Sequence, residues 1–89
     1  MKIGVLESKN FSAEVLKSLS KLGQLEIYDN GDLSNFCKDK EILFIRLKYN
    51  FDKNLLEASK QLKYLCSPTT GLNHIDIDYC NERAIKIIS

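Results

Sequence analysis

The chain has 89 residues, of which 44% are hydrophobic and 28% charged, a content typical of one small globular domain and not of a disordered segment. The formal net charge is +1 and both signs are interspersed, so the sequence predicts neither a nucleic-acid nor a membrane partner. The three cysteines, an odd number without metal-ligand spacing, predict no disulfide framework and no metal site, and we expect a cytoplasmic location.

The first half of the chain has the pattern of a strand, a helix, a second strand and a short helical turn. Strands are predicted over 3–6 and 25–28. A helix is predicted over 11–22, where apolar residues recur at helical spacing: Phe11, Val15, Leu19 and Leu22. Ser12 is expected to cap this helix and Gly23 to end it as the residue after the C-cap. Turn residues at 29–32 end the second strand, and 33–37 can form one helical turn.

The second half continues the alternation. Residues 42–45 form an uninterrupted apolar run, which predicts a central parallel strand covered on both faces. Asp52 is expected to cap the next helix, whose apolar positions are Leu55, Leu56, Ala58 and Leu62. A strand over 64–66 follows, then a helix capped by Asp76 and running through Arg83, and a last strand over 85–88.

This alternation of strands and helices predicts an α/β fold. Right-handed crossovers give an open, parallel five-stranded sheet of order 2-1-3-4-5 with helices on both faces, and residues 1–89 make a single domain. Ligands of such sheets bind at the carboxyl ends of the strands. Three loops are therefore expected to meet at one edge, over 7–10, 46–51 and 67–74.

The loop residues exclude the usual occupants of such a sheet. A phospho-receiver domain needs an acceptor aspartate after the third strand, where this chain has Arg46. A nucleotide cradle needs a glycine- or hydroxyl-rich first loop, and residues 7–10 are Glu-Ser-Lys-Asn. Arg46 and the amides of the glycine turn at 69–72 are suited to a small carboxylate. On residue chemistry alone, a plain turn and a solvated arginine remain open alternatives.

Several segments of the chain resemble the substrate-binding domain of the D-isomer-specific 2-hydroxyacid dehydrogenases. They are residues 42–46, 56–58, 62–65 and 82–85, and most specifically Thr70-Gly71-Leu72-Asn73-His74-Ile75-Asp76-Ile77-Asp78. The resemblance implies a flavodoxin-like domain in which the loop before Asn-His-Ile-Asp offers backbone amides to a substrate carboxylate. It assigns substrate binding to Arg46, Thr70, Gly71 and Leu72.

The same resemblance implies that the catalytic arginine, glutamate and histidine and the G-x-G-x-x-G loop lie in a second, NAD-binding domain beyond Ser89. No catalytic, cofactor-binding or metal-binding residue is therefore predicted here. NAD belongs to the complete enzyme, and this chain alone is expected to bind none and to be inactive. The implied partners are a small 2-hydroxy or 2-oxo acid and the missing NAD-binding domain.

Two positions depart from the family pattern. Thr69 stands where the family often has glycine, which restricts backbone approach to a ligand. Ala84 replaces the usual glycine before the last strand, and we expect a left-handed backbone there.

His74 is interpreted as a packed or cleft-edge residue and not as a general base, and Asp76 and Asp78 as helix-start acids.

Two alternatives to a dehydrogenase lobe remain at this point. One is a stand-alone, non-catalytic domain that binds a small anion or a protein. The other is a truncated, non-functional remnant, whose exposed apolar surface would lead to self-association.

Overall fold

The computed structural model describes residues 1–68 and 71–88. They contain five strands that form one sheet of order β2-β1-β3-β4-β5, and every pairing in it is parallel. The predicted fold class and strand order are confirmed. The strands are β1 Lys2–Val5, β2 Gln24–Ile27, β3 Ile42–Phe44, β4 Tyr64–Cys66 and β5 Lys86–Ile88.

Within the described residues, four α-helices connect the strands, and each begins after a side-chain cap. The helices are α1 Ala13–Ser20, α2 Leu33–Cys37, α3 Lys53–Ala58 and α4 Ile77–Glu82. The predicted caps Ser12, Asp52 and Asp76 accept hydrogen bonds from backbone N–H groups in the first turns of α1, α3 and α4. Asp32 caps α2 in the same way. Each cap satisfies one amide that the helix start leaves without an intrahelical partner.

The helices are divided unequally between the two faces of the sheet. On one face α2 contacts α3 and α3 contacts α4, above the inward side chains of Leu43 and Leu65, which are fully buried. On the other face α1 contacts β2, and the β1 residues Ile3 and Val5 are fully buried there. Ile42 and Phe44 also lie on that face and are half-buried. The prediction that the β3 run is covered on both faces is therefore only partly correct.

The predicted apolar stripe of α1 is wrong at two of its four positions. Leu19 is buried and Phe11 is half-buried, whereas Val15 is 42% and Leu22 67% exposed. The helix is shorter than predicted and ends at Ser20, so Leu22 lies beyond it. Val15 lies within the helix on a side that the sheet does not cover.

Two further local predictions are corrected. Gly23 does not have a positive φ, and the C-cap of α1 is Lys21. A Cβ at Gly23 would collide with the Met1 carbonyl oxygen, so glycine is needed there for close backbone approach. Leu62 is buried but lies beyond α3, which ends at Ala58.

No helix within residues 1–68 and 71–88 has both the length and the apolar character needed to cross a membrane.

Candidate functional site

The predicted meeting of loops occurs at the carboxyl edge of the sheet. Backbone hydrogen bonds continue one residue past the strands: Leu6 donates to Phe44, Ile45 to Cys66 and Ser67 to Ile88, at 2.9, 2.9 and 2.8 Å. The chain segments that follow β1, β3 and β4 therefore leave the sheet side by side. This places the first residues of the three loops next to one another.

The loops after β3 and β4 are joined again at their far ends. Phe51 and Ile75 form an isolated parallel bridge. The Phe51 N–H donates to the His74 carbonyl at 2.7 Å, and the Asp76 N–H donates to the Phe51 carbonyl at 2.9 Å. Phe51 is fully buried and anchors this junction in the core. Both loops are thus held to each other at two points.

Between these loops lies a cleft of about 240 Å³, which we call the loop cleft; its lining residues are Leu47, Asn50, Gly71, Asn73 and His74. Gly71 is exposed, and a Cβ built on it would meet no atom within 4 Å. A ligand therefore has steric room on the Cβ side of Gly71. A small molecule of a few heavy atoms fits a space of this size.

The four predicted substrate-binding residues do not all line this cleft. Gly71 does, while Arg46 precedes the lining residue Leu47 without itself lining the cleft. The half-buried Leu72 packs against the core and borders a groove beside α4 and β5. Its side chain therefore takes no part in the loop cleft. Thr70 lies outside the described residues.

The backbone of Arg46 is held by a hydrogen bond, and its side chain makes none within the described residues. Its N–H donates to Glu7 Oε2 at 2.9 Å. Across residues 1–68 and 71–88, the Arg46 guanidinium has neither a hydrogen bond nor an ion pair, and the side chain is half-buried. A half-buried guanidinium without a partner is able to bind a carboxylate in bidentate geometry.

His74 is a packed residue at the edge of the cleft, as predicted. It is 9% exposed, and its Nε2 lies 3.1 Å from the Oγ of the fully buried Ser67. The Nδ1 atom is buried and has no hydrogen-bond partner in the part of the chain that the structure describes. The contact between His74 and Ser67 joins the two ends of the loop that carries Gly71. Its geometry fits a loop-closing role.

Asp76 acts as the predicted helix cap. Its Oδ1 accepts a hydrogen bond from the Tyr79 N–H at 3.0 Å, and Asp78 is exposed in the first turn of α4. The positions of Asp76 and Asp78 are therefore explained by their roles at the start of α4.

Glu7 is the residue at this edge that the sequence analysis missed. Its carboxylate accepts hydrogen bonds from the backbone of the loop after β3, at the Arg46 and Lys48 N–H groups. The strand order supplied a usable signal, because β1 and β3 are neighbours in a 2-1-3-4-5 sheet. A polar residue directly after β1 must then lie beside the loop that begins at Arg46.

The three thiols are poor nucleophiles. Burial raises the pKa of Cys66 and Cys80, and it raises the pKa of Cys37 to about 12. Reactive cysteines require the thiolate, which such environments disfavour. Within the described residues, no three His, Cys, Asp or Glu side chains are grouped so that they could hold a metal ion.

Comparison with known proteins identifies the family. Residues 3–89 match the model of the D-isomer specific 2-hydroxyacid dehydrogenase, catalytic domain. The chain belongs to this family. Among curated proteins, it is 29% identical over 90 residues to erythronate-4-phosphate dehydrogenase of Pseudoalteromonas atlantica, a match that covers 100% of this chain and 23% of the relative.

Two solved structures of dehydrogenases have the same architecture. The NAD⁺-bound 3-phosphoglycerate dehydrogenase of Entamoeba histolytica matches with a TM-score of 0.80 at 25% identity, over 98% of this chain and 32% of that one. D-lactate dehydrogenase of Aquifex aeolicus, in complex with NAD and lactic acid, matches with a TM-score of 0.80 at 21% identity, over 96% and 26%. The chain thus spans about a quarter to a third of the length of these proteins.

Proposed function

We propose that this chain is the substrate-binding part of an NAD-dependent D-2-hydroxyacid dehydrogenase. In the complete enzyme, hydride would pass between the nicotinamide and C2 of a 2-hydroxy or 2-oxo acid. The loop cleft would receive the carboxylate of that acid. The observation that carries this proposal is the placement of two groups at the same sheet edge: Gly71, which leaves steric room for a ligand, and the half-buried Arg46 guanidinium, which has no hydrogen bond or ion pair within residues 1–68 and 71–88.

The chemistry of the two groups supports a carboxylate ligand. Backbone amides beside Gly71, including that of Leu72, can donate to an anion without a side chain in the way. Arg46 supplies a positive charge and planar donors that match a carboxylate. Family membership and the lactic acid bound by the Aquifex aeolicus enzyme agree with an acid of this class.

The first loop, over residues 7–10, does not suit a dinucleotide. The first loop contains a short 3-10 helix at Ser8–Asn10 and has no glycine among residues 7–10. Its Glu7 carboxylate already accepts from the Arg46 and Lys48 amides, so a negative group stands where a phosphate would need donors. We therefore propose that the cofactor is bound by a part of the complete enzyme outside these residues.

A titration of the ¹⁵N-labelled chain with D-lactate and with pyruvate tests the proposal. We expect amide shifts at Gly71, Leu72 and Arg46, with a Kd of about 1 mM or weaker because only part of the site is present. Lactamide, which has the same shape without the charge, should not shift these amides. Equal shifts with lactamide, or shifts confined to other regions, would contradict a carboxylate site.

Two charge-matched variants sharpen the titration. Arg46→Gln should weaken D-lactate binding by about tenfold, the loss expected for one charge-assisted hydrogen-bonding partner. Lys17→Gln removes the same charge from the exposed surface of α1 and should bind as the wild type does. If the two variants lose affinity equally, the contribution of Arg46 is only a general effect of net charge.

A further inference from the structure

Glu7 has an unusual backbone conformation at the edge of the sheet that carries the loop cleft. Its φ is 58°, in the left-handed region, and only Ala84 shares a positive φ among the described non-glycine residues. Residues other than glycine, asparagine and aspartate rarely adopt this conformation. It persists where surrounding contacts impose it, most often at functional sites. The contacts of the Glu7 side chain therefore indicate what it does.

Those contacts all go to loop groups. Glu7 Oε2 accepts hydrogen bonds from the Arg46 N–H at 2.9 Å and the Lys48 N–H at 3.3 Å. Glu7 Oε1 lies 3.5 Å from the side-chain Nδ2 of Asn10. One carboxylate oxygen thus holds two amides that are 39 and 41 residues away in sequence. Hydrogen bonds to a charged acceptor are stronger than those between neutral groups.

The loop over 46–50 has little other backbone support. Its ends are fixed, because Ile45 donates to Cys66 and Phe51 donates to His74. Between these anchors, within the described part of the chain, no backbone group of residues 46–50 bonds to another backbone group. Glu7 therefore supplies the hydrogen bonds that hold the backbone of the segment carrying Arg46, Leu47 and Asn50. The same segment is also held by the Tyr49 side chain, which packs against the core and the Tyr28 ring.

We propose that Glu7 is a positioning residue for substrate binding. Its carboxylate fixes the 46–50 loop so that the Arg46 guanidinium is held ready for the carboxylate of a 2-hydroxy or 2-oxo acid. The inference rests on the proposed function of the loop cleft. It assigns a binding role to a residue that does not itself contact the acid, and it gives a reason for the left-handed backbone at Glu7.

The test compares two glycine variants of this chain. Glu7→Gly removes the carboxylate that accepts from the loop amides, and it also removes the conformational energy that a side chain costs at a positive φ. Ala84→Gly removes only that conformational energy, at a distant turn. Glu7→Gln keeps a neutral acceptor for the two amides. D-lactate affinity is measured by NMR titration, and order of the 46–50 amides by heteronuclear NOE, at a temperature where every variant is fully folded.

We expect Glu7→Gly to bind D-lactate at least about fivefold more weakly and to lose NOE intensity over 46–50. The reason is that a small displacement of the Arg46 guanidinium weakens its contact with the ligand strongly. Its melting temperature should change little, since the relieved backbone offsets the lost hydrogen bonds. Ala84→Gly should bind as the wild type does, and Glu7→Gln should fall between. A purely structural role for Glu7 would lower the melting temperature and leave the affinity of the folded protein unchanged.

The outcomes separate this inference from the proposed function. If the wild type binds D-lactate at Gly71 and Glu7→Gly binds equally well, or keeps wild-type NOEs over 46–50, the role of Glu7 is overturned and the proposed function stands. If the wild type does not bind at Gly71 or Arg46, the proposed function fails and the substrate role of Glu7 fails with it. Should Glu7→Gly not fold, Glu7→Asn, which tolerates the left-handed region, supplies the same comparison.

Discussion

The two faces of the sheet are covered to different extents. One face carries α2, α3 and α4, and its strand residues Leu43 and Leu65 are fully buried. Among the described helices, the other face carries α1 alone, and its side chains beyond β1 become more exposed, from the half-buried Phe44 and Cys66 to Ile88 at 51%. The register pairs these three residues in one row across the sheet.

This difference shows where the stability of the fold lies. Parallel sheets are usually buried on both faces, because their side chains are apolar on both. Here the main core cluster joins β3 and β4 to α3 and α4, through contacts among Leu43, Leu65, Leu56 and Cys80. The three-helix face therefore carries most of the burial energy, and the α1 face should tolerate substitution at β4 and β5.

The largest effect should come from truncating a core residue on the three-helix face. Leu65→Ala should lower the free energy of unfolding by about 2–5 kcal/mol, because it leaves a cavity in close-packed surroundings. Ile88→Ala on the opposite face should cost less than about 1 kcal/mol, since half of that side chain is already in water. Urea unfolding monitored by circular dichroism measures both. Equal losses would mean that the two faces are packed equally well.

Thiol labelling probes the same asymmetry without changing the core. Cys66 is half-buried on the α1 face, whereas Cys37 and Cys80 are fully buried. We expect Cys66 to react with a maleimide at least about a hundredfold faster than the other two, whose labelling requires opening of the core. Mass spectrometry of peptides gives the three rates, and Cys66→Ser should remove the fast one. Comparable rates for all three thiols in the native protein would refute the difference between the faces.

The structural features that could be predicted from sequence are those set by local contacts or by general rules of topology. The caps Ser12, Asp52 and Asp76 were predictable because each acts on an amide three residues away. The strand order followed from crossover handedness, which is a general rule. The exposure of Val15 and Leu22 was not predictable, because periodicity indicates that a helix has an apolar side but not how much of the sheet lies beneath it.

The candidate site was predictable only in its location. The glycine turn at Gly71 and the arginine at the end of β3 were visible in the sequence, and the fold brings their loops to one edge. The roles of Glu7 and of the Ser67–His74 contact depend on side-chain geometry between segments that no local pattern joins. The direction of the Leu72 side chain, away from the loop cleft, likewise follows from packing against the core.

A smaller effect is expected from the turn that connects α4 to β5. Ala84 has a φ of 59°, as the sequence predicted, and alanine in this conformation costs about 1 kcal/mol relative to glycine. Ala84→Gly should therefore raise the melting temperature by roughly 4–8 °C, the shift expected for about 1 kcal/mol in a domain of this size. Ala13→Gly, at an ordinary helical position, should not raise it. An unchanged or lower value for Ala84→Gly would show that the left-handed backbone carries no cost.

The smallest effect concerns charge at the amino edge of the three-helix face. Lys40 is 2% exposed, and its Nζ lies 2.7 Å from Asp39 and 3.3 Å from Glu26. Hydrogen bonds from Lys40 and Lys2 lower the pKa of Asp39 to about 2. Because the folded-state pKa is below the unfolded value of about 3.9, the stability that Asp39 adds is complete above that value and is lost as pH falls towards about 2.

Asp39→Asn should therefore be less stable than the wild type at neutral pH, and the two unfolding free energies should converge as pH falls from about 4 to about 2. The Asp39 side chain is 40% exposed, so solvent screens the interaction and the difference should be modest. High salt should reduce it further at neutral pH. Urea unfolding across the pH series measures the convergence. A difference that stays constant down to about pH 2 would show that Asp39 acts through packing, and that the ion pairs around the buried Lys40 do not contribute to the stability of this face.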